Sequence, residues 1–493
     1  MSIRLVLAIS VLALAPSLAH AQSCELLATL SLSNVTIASA QPVASGAFVQ
    51  PQGRGGRGGA DPFAGVPAFC RVAGSAKPAA DSDIRFEVWL PAAGWNGKLQ
   101  TVGNGGYAGT IGYGALATAV QAGYAAASTD TGHVGGDPGF AAIPDKLIDF
   151  AHRAIHETTV AAKALVAAHY GTGPRLSYFN GCSTGGRQAL TAAQRYPADF
   201  DGIVAGAPAN STVRMTAMQL FSGNAVRATP AAALPQAARE ALHAAAIAAC
   251  DAPDGVKDGV IENPLACRVD AARAGLTREQ ADAASRVYAG PGRVFPGLAP
   301  GSELGWNGLS GDEPFAYALG MWRNVVFRDQ AWDPKALDVE AHVAKADPIV
   351  NSLGLQAIDP NLKPFFDRGG KLLMYHGWND PLISPYNSVN YYRGVLETLR
   401  QGSGQARPDE SIRLFMMPGV NHCAGGAGTD TWDKAQVLDQ WRESGRAPSR
   451  VVASHQTEGR VDKTRPLCAF PQVAVYKGSG STDDAANFDC RQP

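Results

Sequence analysis

The sequence predicts an α/β fold interrupted by a large helical insertion, and three observations carry that prediction. From Ile84 onward, short runs of strand character alternate with longer segments whose apolar residues recur at helical spacing. Between about Asn210 and Pro348 that rhythm gives way to alanine-rich helices, a cysteine-bounded acidic loop and an aromatic-rich segment. It then resumes with KLLMYHGWND and IRLFMMPGVNHC, each a buried-looking strand running into a polar loop. At 493 residues the chain exceeds the size at which a single core usually keeps growing, which suits one large domain carrying an insertion.

Taken in order, the chain opens with Arg4, an apolar run from Leu5 to Ala15, and Ala19-His20-Ala21, a small-x-small cleavage pattern. Residues 1–21 therefore read as a secretory signal cut after Ala21. The apolar run is short of the roughly 20 residues a membrane span needs, no later segment reads as a span, and Cys24 lacks a lipobox-like run before it. PQGRGGRGGADP, Pro51 to Pro62, reads as a flexible surface loop; two arginines make a poor RNA-binding Gly-Arg tract. IRFEVWLP, KLQTVGNGG and GYAAASTDTGH read as strands. LIDFAHRAIHETTVAAKALVAAHYG reads as a helix with a glycine stop at Gly171. RLSYFNGCSTGGRQALTAAQRY reads as strand, sharp turn and helix, and GIVAGAP as the next strand. The expected division is a first part of the α/β domain over 22–209, a lid insertion over 210–348, and the second part over 349–493.

A net charge of -1 and a pI near 6.8 leave no electrostatic footprint for nucleic acid or an anionic membrane, which favours a small-molecule or neutral-polymer partner. Eight cysteines form an even set, and in a secreted chain disulfides are the default. Many pairings are open. Proximity favours Cys24 with Cys70, Cys250 with Cys267 and Cys468 with Cys490, which leaves Cys182 and Cys423 for each other.

Gly181-x-Ser183-x-Gly185, after a predicted strand and before a helix, has the pattern of the nucleophile elbow of α/β hydrolases. The nucleophile of such an elbow sits in a strained turn that has no room for side chains two residues away on either side. The fold's chain order is serine, acid, histidine. Asp380 follows KLLMYHGW and His422 follows IRLFMMPGVN, so both fall on loops after later strands. In the expected roles His422 takes the Ser183 proton and Asp380 orients and charge-stabilises the imidazole. His133 precedes the serine, the wrong order, and His376 lies inside a strand, where it packs or hydrogen-bonds near the site. The oxyanion hole is expected from the Thr184 N–H and one from GNGGYAG, where Gly106 is favoured over Gly105. Cys182 faces away from the apex of the elbow, and a free thiol is out of place in an oxidising compartment.

The arrangement Cys-Ser, Asp, His-Cys resembles the CS-D-HC signature of the tannase and feruloyl esterase family, secreted α/β hydrolases of aromatic carboxylic esters. The resemblance runs through GNGGYAG, STDTGH, NGCSTGGRQAL, FDGIVAGAPA, GWNDPLISP and PGVNHC. It implies an α/β-hydrolase fold with a large inserted lid domain, the triad Ser183, Asp380 and His422, and a Cys182–Cys423 disulfide. CDAPDGVKDGVIENPLAC, Cys250 to Cys267, resembles the family's disulfide-closed lid calcium loop. That likeness implies structural Ca²⁺ held by carboxylates of Asp251, Asp254 and Asp258 and carbonyls of Val256 and Val260. An EF-hand reading fails because Pro253 and Gly255 occupy ligand positions.

Specificity is expected from lid aromatics, with Trp306, Phe315 and Trp322 as substrate contacts and Tyr317 and Phe327 beside them; the competing reading makes each part of the lid's own core. The expected function is a secreted serine carboxylesterase acting on a small aromatic ester, feruloyl or galloyl, including esters attached to plant polysaccharide or polyphenol. The alternatives are a terephthalate-monoester hydrolase, with Arg293 or Arg323 reading the carboxylate, a broad lipid or polyester hydrolase, and a binding protein with a vestigial site.

Overall fold

The computed structural model describes residues 21–51, 63–403 and 408–493. The expected signal and the Gly/Arg tract lie outside these residues, apart from Ala21 and Pro51. Nine strands form one sheet: β1 (Val35–Val43), β2 (Phe69–Ala76), β3 (Ile84–Pro91), β4 (Lys98–Val102), β5 (Ala125–Thr129), β6 (Leu176–Cys182), β7 (Gly202–Gly206), β8 (Lys371–Gly377) and β9 (Ile412–Met417). Their spatial order is β1-β2-β3-β5-β4-β6-β7-β8-β9. The pairs from β1 through β3 to β5 are antiparallel, and every pair from β5 to β9 is parallel.

The parallel strands are covered on both faces, so they read as continuous apolar runs rather than alternating ones. Tyr178, Val204, Leu373 and Phe415 point into one core with Trp441 and Leu438 of the helix Lys434–Ser444. Their neighbours Phe179, Ile203, Leu372 and Leu414 point into the other, against Leu190 of the helix Thr184–Arg195 and Val395 of the helix Pro385–Ser403. This two-residue alternation assigns each strand side chain to one core or the other.

The expected strands from Ile84 onward correspond to β3–β9. Strands β1 and β2 were not anticipated: β1, VTIASAQPV, is a largely exposed edge strand with Pro42 in it and little apolar signal. The expected single helix over Leu147–Tyr170 is split into Pro144–Ile148, a π-helical turn Asp149–Arg153, and Ala154–Tyr170, with Gly171 left-handed as its stop. At this turn two backbone carbonyls accept from a side chain of a neighbouring helix. Buried Arg187 donates to the carbonyls of Ala151 at 2.7 Å and Phe150 at 3.1 Å.

Between β7 and β8 the chain builds helices Thr212–Val226, Gln236–Cys250, Arg278–Ala289 and Val339–Ser352 with connecting turns. After β9 come two antiparallel pairs, Arg450–Thr457 with Arg460–Cys468 and Val473–Tyr476 with Phe488–Arg491. Four disulfides join Cys24 to Cys70, Cys182 to Cys423, Cys250 to Cys267 and Cys468 to Cys490. Among the described residues no helix is long and apolar enough to cross a membrane.

Candidate active site

Ser183 stands at the C-terminal end of β6 with φ 65° and ψ -121°, a conformation that costs a non-glycine residue energy. The surroundings hold it there. Its N–H donates to the Gly206 carbonyl at 3.0 Å, and its carbonyl accepts from Arg187 and Ala209 at 3.0 and 3.1 Å. A Cβ on Gly181 would lie 2.7 Å from the Gly185 carbonyl carbon, and one on Gly186 would lie 2.2 Å from the Gly206 oxygen. The glycines therefore let strand, turn and helix close up around the serine.

The loops after β8 and β9 bring the other two predicted residues to it. Ser183 Oγ lies 2.9 Å from His422 Nε2, and His422 Nδ1 lies 2.7 Å from Asp380 Oδ2. Asp380 is fully buried; its Oδ1 accepts the backbone N–H groups of Leu382 and Ile383, both at 2.9 Å. Burial alone would push this carboxyl up, but the charge of His422 and hydrogen bonds from His376 and His422 hold it well below the usual range. For His422, burial disfavours the cation, yet the charge and hydrogen bond of Asp380 outweigh it and move the imidazole above its ordinary value. Cys423, its Cα 6.1 Å from that of Cys182, also sits at positive φ, 65°. The disulfide thus ties the serine's turn to the histidine's loop.

Gly105 and Gly106 line the same cavity as Ser183, and Thr184 Oγ1 donates to the Gly106 carbonyl at 2.9 Å. Thr184 begins a helix, so its N–H is one of those without an intrahelical acceptor. The glycine loop is braced from behind. Asn104 exchanges two hydrogen bonds with Gln188 and donates to the Thr129 carbonyl at 2.8 Å. His133, set aside on chain order, stands 2.8 Å by Nε2 from the Tyr107 carbonyl, while Thr131 Oγ1 lies 3.2 Å from its Nδ1. It props this loop.

The cavity at Ser183 has a volume of about 540 Å³, within the range of small-molecule sites. Beyond the glycine loop its walls are Ala209, Met215, Gln219, Phe315, Tyr317, Leu382 and Ile383. Of the three expected substrate contacts only Phe315 is there. Trp306 and Trp322 are 1% and 0% exposed and belong to cores that join the insertion to the α/β domain, Trp322 in one cluster with Tyr107, Leu147 and Phe150; Trp306 Nε1 donates to Ser302 Oγ, and Trp322 packs on Phe327 and Trp332. Their size made them core anchors, as the competing reading had it, but of cores shared with the α/β domain rather than the lid's own. Trp322→Ala is expected to lower unfolding stability by about 3–5 kcal/mol without changing KM for a small ester; denaturant unfolding and steady-state kinetics on one sample check this.

Arg293 and Arg323 do not line the cavity either; Arg323 donates to the Trp332 carbonyl. Met215 and Gln219, from the helix Thr212–Val226, were missed, because a helix buried nearly all round does not reveal which face lines a cavity. Leu382 and Ile383 had a legible signal: they follow the predicted acid by two and three residues.

In the acidic loop, backbone N–H groups of Asp258 and Gly259 donate to Asp251, that of Val256 to Asp254, and that of Val260 to Asp258. Burial first, then the charges of Asp258 and Asp251, pushes the Asp254 carboxyl up to about 6. Asp258 also pairs with Arg465 at 2.7 Å, which ties the loop to the C-terminal hairpin. Among the described residues no three His, Cys, Asp or Glu side chains are gathered closely enough to hold a metal by themselves. The carboxylates of Asp251, Asp254 and Asp258 are all-oxygen donors, the type that suits Ca²⁺.

A parallel-rich sheet with a serine on a strained strand-to-helix turn, and an acid and a histidine on later loops, defines an α/β hydrolase. The chain is 36% identical over 530 residues to an uncharacterized esterase of Xanthomonas campestris pv. campestris, covering 95% of this chain and 91% of that one. It is 33% identical to a probable feruloyl esterase B of Aspergillus clavatus, over 86% of each chain. The crystal structure of feruloyl esterase B from Aspergillus oryzae superposes with a TM-score of 0.85 at 31% identity, covering 95% of this chain and 99% of that one. A sequence profile described as tannase and feruloyl esterase matches residues 70–491. The chain belongs to the tannase and feruloyl esterase family and is a carboxylic ester hydrolase.

Proposed function

We propose that the protein is a secreted serine carboxylesterase that cleaves feruloyl or galloyl-type esters through an acyl-enzyme. The observation that carries this reading is the continuous hydrogen-bonded chain from Asp380 through His422 to Ser183 at the floor of an aromatic-lined cavity. Ser183 Oγ attacks the ester carbonyl while His422 Nε2 takes its proton, and the Asp380 carboxylate stabilises the imidazolium. The N–H groups of Thr184 and Gly106 receive the oxyanion. His422 then protonates the departing alcohol, and in the second half it deprotonates the water that releases the acid.

Phe315 and Tyr317 supply aromatic faces for the acyl ring. No lysine or arginine is among the lining residues, which favours a neutral hydroxylated ring over a terephthalate carboxylate. Four disulfides support an oxidising compartment. A panel of feruloyl, galloyl, terephthaloyl and long aliphatic esters on one purified sample tests the reading. Highest kcat/KM on the terephthaloyl or aliphatic members overturns the substrate class, and failure to react with a fluorophosphonate overturns the serine mechanism.

Calcium belongs to the same proposal. Asp251, Asp254 and Asp258, with the carbonyls of Val256 and Val260, hold Ca²⁺ as a stiffener of the loop closed by Cys250 and Cys267, without touching the ester. Chelation is expected to lower Tm and readdition of Ca²⁺ to restore it. An unchanged Tm, with no metal in the purified protein, makes the loop a plain turn.

A further inference from the structure

We propose that His376 is a positioning residue for the ester-cleaving reaction: from β8 it donates a second hydrogen bond to the Asp380 oxygen that holds His422, and so sets how tightly the Asp380–His422 pair keeps its proton. The inference rests on the serine-esterase reading above.

His376 is fully buried, as is Asp380. Its Nε2 lies 3.0 Å from Asp380 Oδ2 and 3.2 Å from the Ile383 carbonyl, and its Nδ1 lies 2.7 Å from Ser388 Oγ in the helix Pro385–Ser403. A neutral ring with the proton on Nε2 satisfies every partner: Nε2–H is shared between the carboxylate and the carbonyl, and Nδ1 accepts the Ser388 hydroxyl proton.

What separates this from an ordinary satisfied core histidine is the choice of oxygen. Asp380 Oδ1 already has the N–H groups of Leu382 and Ile383, and Oδ2 divides its acceptor capacity between two imidazoles. Of these four donors only His422 reaches Ser183. Among the described residues the charged or titratable groups that act most on Asp380 are the two histidines; Ser388 and the Ile383 carbonyl are neutral. Removing the His376 donor leaves Oδ2 to His422 alone. The pair then binds its proton more tightly and titrates as a unit at higher pH. The neutral base that Ser183 needs forms later as pH rises, so the acid limb of kcat/KM moves up.

The test is the pH profile of kcat/KM for methyl ferulate in wild type, His376→Phe, His376→Gln and Ser388→Ala, with Tm for each. Wild type is expected to lose activity on the acid side with a midpoint above the ordinary histidine value of about 6.5. His376→Phe is expected to displace the limb upward with KM little changed, so that kcat/KM falls most at pH values below the wild-type plateau. His376→Gln, which keeps an N–H near Asp380, moves the limb back toward wild type. Ser388→Ala moves it the same way as Phe but less, because the ring loses the partner that polarises its N–H. Limbs that coincide with wild type in the Phe and Ala variants, whatever happens to Tm, overturn the proposal. If the Phe variant does not fold, the Ser388→Ala limb decides alone. A wild-type protein inactive on every ester would defeat the serine-esterase reading instead.

Discussion

Ser183→Ala is expected to fold with an unchanged Tm and to lose hydrolysis of methyl ferulate by roughly 10⁴-fold or more, the loss that follows removal of a nucleophile acting in concert with its base. The change removes one oxygen whose partner is His422 Nε2 at 2.9 Å. It leaves the turn in place, because the Ser183 backbone is held by Gly206, Arg187 and Ala209 rather than by its side chain. Circular dichroism and thermal unfolding check the fold, and fluorophosphonate labelling of wild type but not variant checks the atom. Comparable turnover in the variant would remove Ser183 from the mechanism.

The double substitution Cys182→Ala with Cys423→Ala is expected to cost both stability and rate. The bond spans a sequence separation of 241, and the loop-entropy argument puts its contribution at about 5 kcal/mol as an upper estimate. The rate effect has a separate origin. Cys182 and Cys423 are chain neighbours of Ser183 and His422, and both Ser183 and Cys423 hold φ at 65°. Freeing the Cys423 turn lets that strained residue relax and loosens the serine–histidine contact, so kcat falls with Tm. Measured well below the variant's own Tm, an unchanged kcat would reduce the disulfide to a stability staple.

Both effects concern residues that were legible in the sequence, and the reason is geometric. In a parallel sheet the strand order and the loops at one end of it carry the site, so a glycine-flanked serine after one apolar run and an acid and histidine after two later runs already select one end of the sheet. The strands β3–β9 stood out because they are buried on both faces. The edge strand β1 and the C-terminal hairpins did not, having exposed faces and short or polar runs. In the insertion, composition misled. Trp306 and Trp322 look like ring-binding surfaces in the sequence, yet seating the insertion on the α/β domain needs large buried side chains and took those two, leaving Phe315 and Tyr317 at the cavity. Which aromatic faces in and which faces the ester depends on tertiary contacts that helical spacing does not encode.

The Cys182–Cys423 bond also turns 240-odd residues of chain into a covalent ring with Ser183 and His422 just inside its clasp. Asp380 and every helix between β7 and β8 lie on that ring. A protease cut in the insertion therefore opens the ring without releasing a fragment, and the two pieces part only when the clasp is reduced. The same closure means that lengthening or shortening the insertion leaves the serine and histidine tethered at one fixed spacing. The ring can thus be remodelled while the clasp keeps the two turns together.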